Sequence, residues 1–241
     1  MKDILSGIFA YGKAINLVNK LGLWRYVFVP GLISLALAVG LFLMAYGLSD
    51  NIGTWLAQWY PWEWGNSIVQ TLADVFGGLL VLAVGLIIFK QVVMIVTGPF
   101  MSPLSERIEA HYLGTYHQLP KGWKAQGYQV VRGIRIAVRN LFWELLFTVL
   151  LLLLGLIPIF TPFTTLLIFI VQAYYFGFGN LDFALERDFN YSNTIKFVQN
   201  NRGMAVGNGL ITAGLLMTVV GFIFILPLGV AAATIEKTRK V

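Results

Sequence analysis

The sequence predicts an all-α integral membrane protein, and three observations predict it. Of the 241 residues, 58% are hydrophobic and only 12% are charged, too little polar surface to clothe a soluble core of that size. The apolar residues fall in long runs. Two of these, 27–48 and 75–97, are long enough to cross a hydrocarbon core of about 30 Å at about 1.5 Å per residue. The basic residues gather in the segments between the runs, on what reads as one side of the bilayer.

Residues 1–26 form an amphipathic N-terminal interfacial segment carrying Lys2, Lys13, Lys20 and Arg25. The first uncharged run begins only after Arg25, exceeds the apolar region of a signal peptide and lacks a small-residue cleavage site, so it is expected to remain as a permanent span. Pro30 lies near its start, where a missing N–H costs little. The following loop holds Asp50, Glu63 and Asp74 without a Lys or Arg, and its Trp55, Trp59, Tyr60, Trp62 and Trp64 suit a membrane-interface belt. The second run contains one charge, Lys90, and is expected to bend or stop within Thr97-Gly98-Pro99-Phe100-Met101-Ser102-Pro103.

Residues 98–140 form a basic segment with Arg107, Lys121, Lys124, Arg132, Arg135 and Arg139. A helical hairpin is expected over 141–178. Its uncharged arms, 145–157 and 163–178, are short, and its tip Pro158-Ile159-Phe160-Thr161-Pro162 has no charge. Two readings stay open: a tip that remains inside the membrane under protein cover, or two short complete spans. A connector over 179–203 carries Arg187, Lys196 and Arg202. A second hairpin is expected over 204–235, with Gly207, Gly209, Gly214 and Gly221 suited to close packing and a break at Leu226-Pro227-Leu228-Gly229. A return at Pro227 keeps the Lys237, Arg239 and Lys240 tail on the same side as the other basic segments. By the positive-inside rule both termini, the central segment and the connector are then cytoplasmic.

The residue inventory excludes several chemistries. Cysteine is absent and the two histidines cannot alone hold a metal. No nucleotide loop or nucleophile–base pairing is present. The sequence therefore predicts no enzyme activity, cofactor, metal or nucleic-acid partner, and the net charge of +6 reflects orientation in the membrane.

Three features are candidates for function. Gly22-Leu23-Trp24-Arg25-Tyr26 joins the interfacial segment to the first span. Free N–H groups beside a glycine and an arginine suit an oxyanion there, as headgroup anchoring also does. Lys90 is either a snorkelling lysine or a cation on an anion path. Arg132, Arg135 and Arg139 recur at helical spacing beside Val131, Ile134 and Val138, the pattern of a helix on an anionic lipid surface. Glu144 could pair with Arg139, although a spacing of five is poor on one helix.

The chain also resembles the CysZ-type sulfate permeases and the etoposide-induced membrane proteins grouped with them, along nearly its whole length. The resemblance is carried by Gly22-Leu23-Trp24-Arg25-Tyr26-Val27-Phe28-Val29-Pro30 and by Gly98-Pro99-Phe100-Met101-Ser102-Pro103-Leu104-Ser105-Glu106-Arg107-Ile108-Glu109. Two further carriers are Asp182-Phe183-Ala184-Leu185-Glu186-Arg187 with Asn201-Arg202, and Pro227-Leu228-Gly229-Val230-Ala231-Ala232-Ala233-Thr234. It implies two long transmembrane helices plus two partly inserted helical hairpins, assembled as a homo-oligomer in a bacterial inner membrane. It also implies inward transport of sulfate or a similar small oxyanion, at a Gly-Leu pair followed by two arginines. Gly22 and Leu23 match the pair and Arg25 the second arginine, while Trp24 replaces the first. Lys90 is then a candidate pathway residue. The alternative is a non-transporting membrane organiser that binds anionic lipid or a partner through its basic face.

Overall fold

The computed structural model describes residues 2–58, 67–114, 123–216, 218 and 221–240. Among the described residues every regular element is helical: α1 (Lys2–Lys20), α2 (Arg25–Gln58), α3 (Ser67–Leu113), α4 (Trp123–Gly155), α5 (Thr161–Leu185), α6 (Tyr191–Asn200), α7 (Arg202–Leu216) and α8 (Gly221–Thr238). The expected all-α membrane architecture is therefore present.

α1 is amphipathic, with Ala10, Tyr11, Ala14, Leu17 and Val18 buried along one stripe and Lys13, Asn16 and Lys20 exposed. Asp3 in its first turn and Lys20 in its last complement the helix dipole. The chain then turns by 115° into the first part of α2. α2 continues to Gln58, well past the expected end at residue 48. The expected loop residues Trp59, Tyr60, Trp62, Glu63 and Trp64, and the side chain of Trp55, lie outside the described residues.

α3 corrects an expectation. It runs for 47 residues through both Pro99 and Pro103 instead of ending near Thr97. Packing keeps it helical through the prolines, since Met101, Leu104 and Ile108 are fully buried. Hydroxyl bonds from Thr97 to the Val93 carbonyl (2.6 Å) and from Ser102 to the Gly98 carbonyl (3.4 Å) flank the two prolines, whose missing N–H groups leave the Ile95 and Pro99 carbonyls without their helical donors.

α4 and α5 form the first hairpin, with arms longer than the sequence suggests. Gly127–Gly155, Thr161–Leu185 and Ile87–Leu113 are each long and apolar enough to cross a membrane, and α1 with the start of α2 makes a bent fourth candidate. The described residues thus offer more candidate spans than the two expected. Glu144 and Asp182 bound the arms when only the sequence is considered; both are instead ion-paired between helices.

In the second hairpin the break falls between Leu216 and Gly221, and Pro227 sits inside α8, contrary to the expected turn there. The arms have 15 and 18 residues, about 22 and 27 Å, short of a hydrocarbon core of about 30 Å. α8 is the central helix. Val230, Ala231, Ala232 and Ala233 are fully buried, and the surrounding cores draw on α1, α2, α3, α5 and α7. α5 and α7 meet backbone to backbone: a Cβ on Gly177 would strike the Ala205 carbonyl, and one on Gly209 the Ala173 carbonyl.

Candidate functional site

The α1–α2 corner is built by a glycine-capped helix end. Gly22 has φ +62°, the left-handed region, where a side chain is strained. Its N–H donates to the Asn19 carbonyl (3.2 Å) and the Leu23 N–H to the Val18 carbonyl (2.9 Å), the paired bonds of a Schellman cap. Leu23 is buried in the same cluster as Val18, completing the hydrophobic contact of that motif. The amides of Gly22 and Leu23 are therefore consumed in closing α1. Bonding within α2 begins with Tyr26 N–H to the Leu23 carbonyl, followed by Val27 and Phe28 to the Trp24 carbonyl. Trp24 and Arg25 thus present their own N–H groups at the start of α2, with no backbone acceptor among the described residues.

The side chains around this corner are aromatic and cationic. The Trp24 indole stacks on Phe28, meets Phe224 edge-on, and donates from Nε1 to Asn19 Oδ1 (3.2 Å). Arg25 is exposed, donates to the Tyr26 hydroxyl (2.9 Å) and lies 4.8 Å from that ring's centroid. Arg107, from α3, lies 5.2 Å from the same centroid. Two guanidinium groups therefore flank Tyr26 at the positive end of α2. Arg107 is absent from the sequence-based site because a helix broken at Pro103 would not carry it there.

Lys90 does not snorkel. It is buried, ion-paired with the fully buried Glu144 of α4, and its Nζ is 4.5 Å from the centre of the Phe176 ring on α5. The pairing of Glu144 with Arg139 is not formed. No contact among the described residues joins Lys90 to the α1–α2 corner.

The arginines of α4 divide. Arg132 is buried and donates to Asp182 Oδ1 (2.7 Å), Thr194 Oγ1 (2.6 Å) and the Phe189 carbonyl (3.1 Å). It is not a lipid-surface residue, because the face it occupies is covered by α5 and α6. Arg139 is half-buried and donates to Asn140 Oδ1 (2.9 Å). Arg135 is exposed, 4.4 Å from the Tyr191 ring centre.

Two polar clusters escaped sequence reasoning. Glu109 on α3 accepts from Arg187 (2.5 Å) and pairs with Lys237 of α8, which also pairs with Asp188. Arg187 further donates to Ser105 Oγ (2.9 Å), which shares a hydrogen bond with Thr234 (2.9 Å). Deeper in the bundle, the Tyr11 hydroxyl donates to the Asn208 carbonyl (2.9 Å). Asn180 Nδ2 donates to Asn208 Oδ1 (2.8 Å), and Asn208 Nδ2 to the Gly229 carbonyl (2.9 Å). These bonds tie α1, α5, α7 and α8 together.

A bundle of long apolar helices, with a cationic, amide-bearing corner at the start of one of them, defines an α-helical membrane protein. The chain belongs to the family described as Sulfate transporter CysZ/Etoposide-induced protein 2.4, which matches residues 10–227. It is similar to two proteins named Sulfate transporter CysZ, from Pseudomonas aeruginosa strains LESB58 and PAO1. Each is 23% identical over 245 residues, covering 98% of this chain and 96% of the relative.

Proposed function

We propose that this chain carries sulfate or a similar small oxyanion across a bacterial inner membrane, with both termini cytoplasmic, and that the anion is met at the α1–α2 corner. The observation that carries this reading is the pair of open amides, Trp24 and Arg25, at the start of α2 beside the guanidinium groups of Arg25 and Arg107. A dianion leaving water needs its charge balanced and its oxygens bonded. Arg107 supplies the second positive charge that Trp24 no longer offers. Gly22 and Leu23 act by fixing the corner, and Lys90 acts by holding α3 to α4 beside the path. Homo-oligomers would cover the polar backbone of partly inserted hairpins. The organiser alternative relies on a basic α4 face, and the burial of Arg132 weakens that face.

The test is uptake of radiolabelled sulfate into proteoliposomes. Wild-type protein is expected to exceed empty vesicles. Arg25→Ala and Arg107→Ala are each expected to lower apparent affinity about 10-fold or more, the scale of one charged hydrogen bond. Uptake equal to empty vesicles, or unaffected by either substitution, overturns the reading.

A further inference from the structure

A cavity of about 610 Å³ lies between α3, α4 and α5, away from the α1–α2 corner. Its mouth is apolar and open, formed in part by Ile95, Val130 and Ile134, which are 51%, 60% and 42% exposed. Its polar lining includes Gln129 and Glu186. Gln129 Oε1 and Glu186 Oε1 are both buried and have no hydrogen-bond partner among the described residues. Both atoms are acceptors once Glu186 is ionised, so the cavity holds acceptor capacity that the protein does not fill.

The nearby cations are already engaged. Asp182, one turn before Glu186, is answered by Arg132, and Arg187 is bound to Glu109 and Ser105. Burial lifts the Glu186 carboxyl to about 7, with the charge of Asp182 raising it further. A hydrogen bond with Ser102 and the charges of Arg187 and Arg132 oppose that rise. Depth fits as well. Glu186 directly follows the candidate span Thr161–Leu185, and Gln129 lies at the start of Gly127–Gly155. Both therefore lie at the ends of their candidate spans, with an apolar opening beside them.

From this cavity we infer a site for a primary-ammonium lipid headgroup, that of phosphatidylethanolamine, with the ammonium donating to Glu186 and Gln129 and the lipid leaving past Ile95, Val130 and Ile134. A primary ammonium brings a positive charge and three N–H donors to two unfilled acceptors. A quaternary choline brings the charge without a donor, and an anionic headgroup would meet Glu186 with like charge. The inference is independent of oxyanion transport.

The experiment places the full-length protein in nanodiscs of equal phosphatidylethanolamine and phosphatidylcholine with matched acyl chains, and counts retained lipids by native mass spectrometry. Wild type is expected to retain phosphatidylethanolamine over phosphatidylcholine about 10-fold, the scale of one charged hydrogen bond. Retention is expected to be about 10-fold weaker at pH 6 than at pH 8, because the competent carboxylate is then the minor form. Glu186→Gln, which removes the charge and turns one acceptor oxygen into a donor while keeping the shape, is expected to abolish the preference. Gly133→Phe is expected to abolish retention of both lipids: Gly133 lines the cavity and a Cβ there meets nothing within 4 Å, so the added ring is expected to occupy the cavity. Equal retention of the two lipids by wild type, or an undiminished preference in Glu186→Gln, overturns the proposal. Thermal stabilisation by free ethanolamine in pure phosphatidylcholine discs, matching that given by phosphatidylethanolamine, overturns the lipid assignment in favour of a soluble amine.

Discussion

Single charges inside the bundle decide more of this structure than their number suggests. Lys90 is legible in the sequence as the one charge within a predicted span. Its partner is not, because Glu144 lies 54 residues away and only the packing of α4 on α3 brings them together. Removing one member of a buried pair strands the other, at a cost of about 3–5 kcal/mol, whereas replacing both is often nearly neutral. Lys90→Met and Glu144→Gln are therefore each expected to lower the thermal midpoint in detergent sharply, with the double variant recovering most of the loss. A double variant as unstable as the sum of the two singles would show that the pair does not act as a unit. Glu186 makes a second residue-scale prediction. Its folded carboxyl titrates at about 7, above the ordinary value of 4.5, because burial disfavours the charge. A raised carboxyl binds its proton more tightly in the folded state. Its contribution to stability is thus fully present below about pH 4.5 and is lost as pH rises through about 7. In the absence of an ammonium ligand, Glu186→Gln should flatten the fall in thermal midpoint between pH 6 and pH 8.

At the scale of elements, glycine and proline have opposite legibility. Gly22 stands out in the sequence beside a helix start, and its part in the structure is definite, since it ends α1 in a left-handed residue and aims α2. Gly22→Ala should cost about 1–2 kcal/mol from that conformation alone, visible as a lower thermal midpoint, and, on the proposed function, should weaken sulfate uptake by turning the corner. The prolines mislead. Pro99, Pro103 and Pro227 read as breaks, yet each lies within a helix, because burial against neighbouring helices stabilises what an isolated segment would lose. Sequence periodicity carries no record of those neighbours. The glycines of α7 can be assigned to packing as a group from sequence but not ranked. The structure ranks them: a Cβ at Gly209 meets backbone of α5, while one at Gly214 meets nothing within 4 Å. Gly209→Ala should disrupt the bundle, reducing the monodisperse yield on gel filtration. Gly214→Ala should leave it unchanged or improve it slightly through helix propensity.

For the whole molecule, the sequence leaves open how deeply the first hairpin enters the membrane, and the pattern of exposure along α4 and α5 favours partial entry. α4 spans 33 residues, but its early turns stand beside α6, whose Ser192, Asn193, Lys196 and Gln199 are polar and lie largely on its outer side. Arg132 and Ile136 pack on that helix, and Arg135 is exposed next to Tyr191, so this stretch belongs to the interfacial layer. After Arg139, the last basic residue of α4, about 16 residues remain, or roughly 24 Å, less than the hydrocarbon core. The tip is apolar and uncovered, with Ile159 73% and Phe163 66% exposed, and no charged residue lies between Glu144 and Asp182. A tip of that composition is expected to end in hydrocarbon rather than at the far headgroups. The cysteine-free chain permits a clean measurement. Ile159→Cys in sealed vesicles should resist an impermeant maleimide from either face, yet react once detergent is added. Reaction from the face opposite the termini would mean that α4 and α5 cross completely and that the interfacial turns of α4 lie deeper than α6 allows.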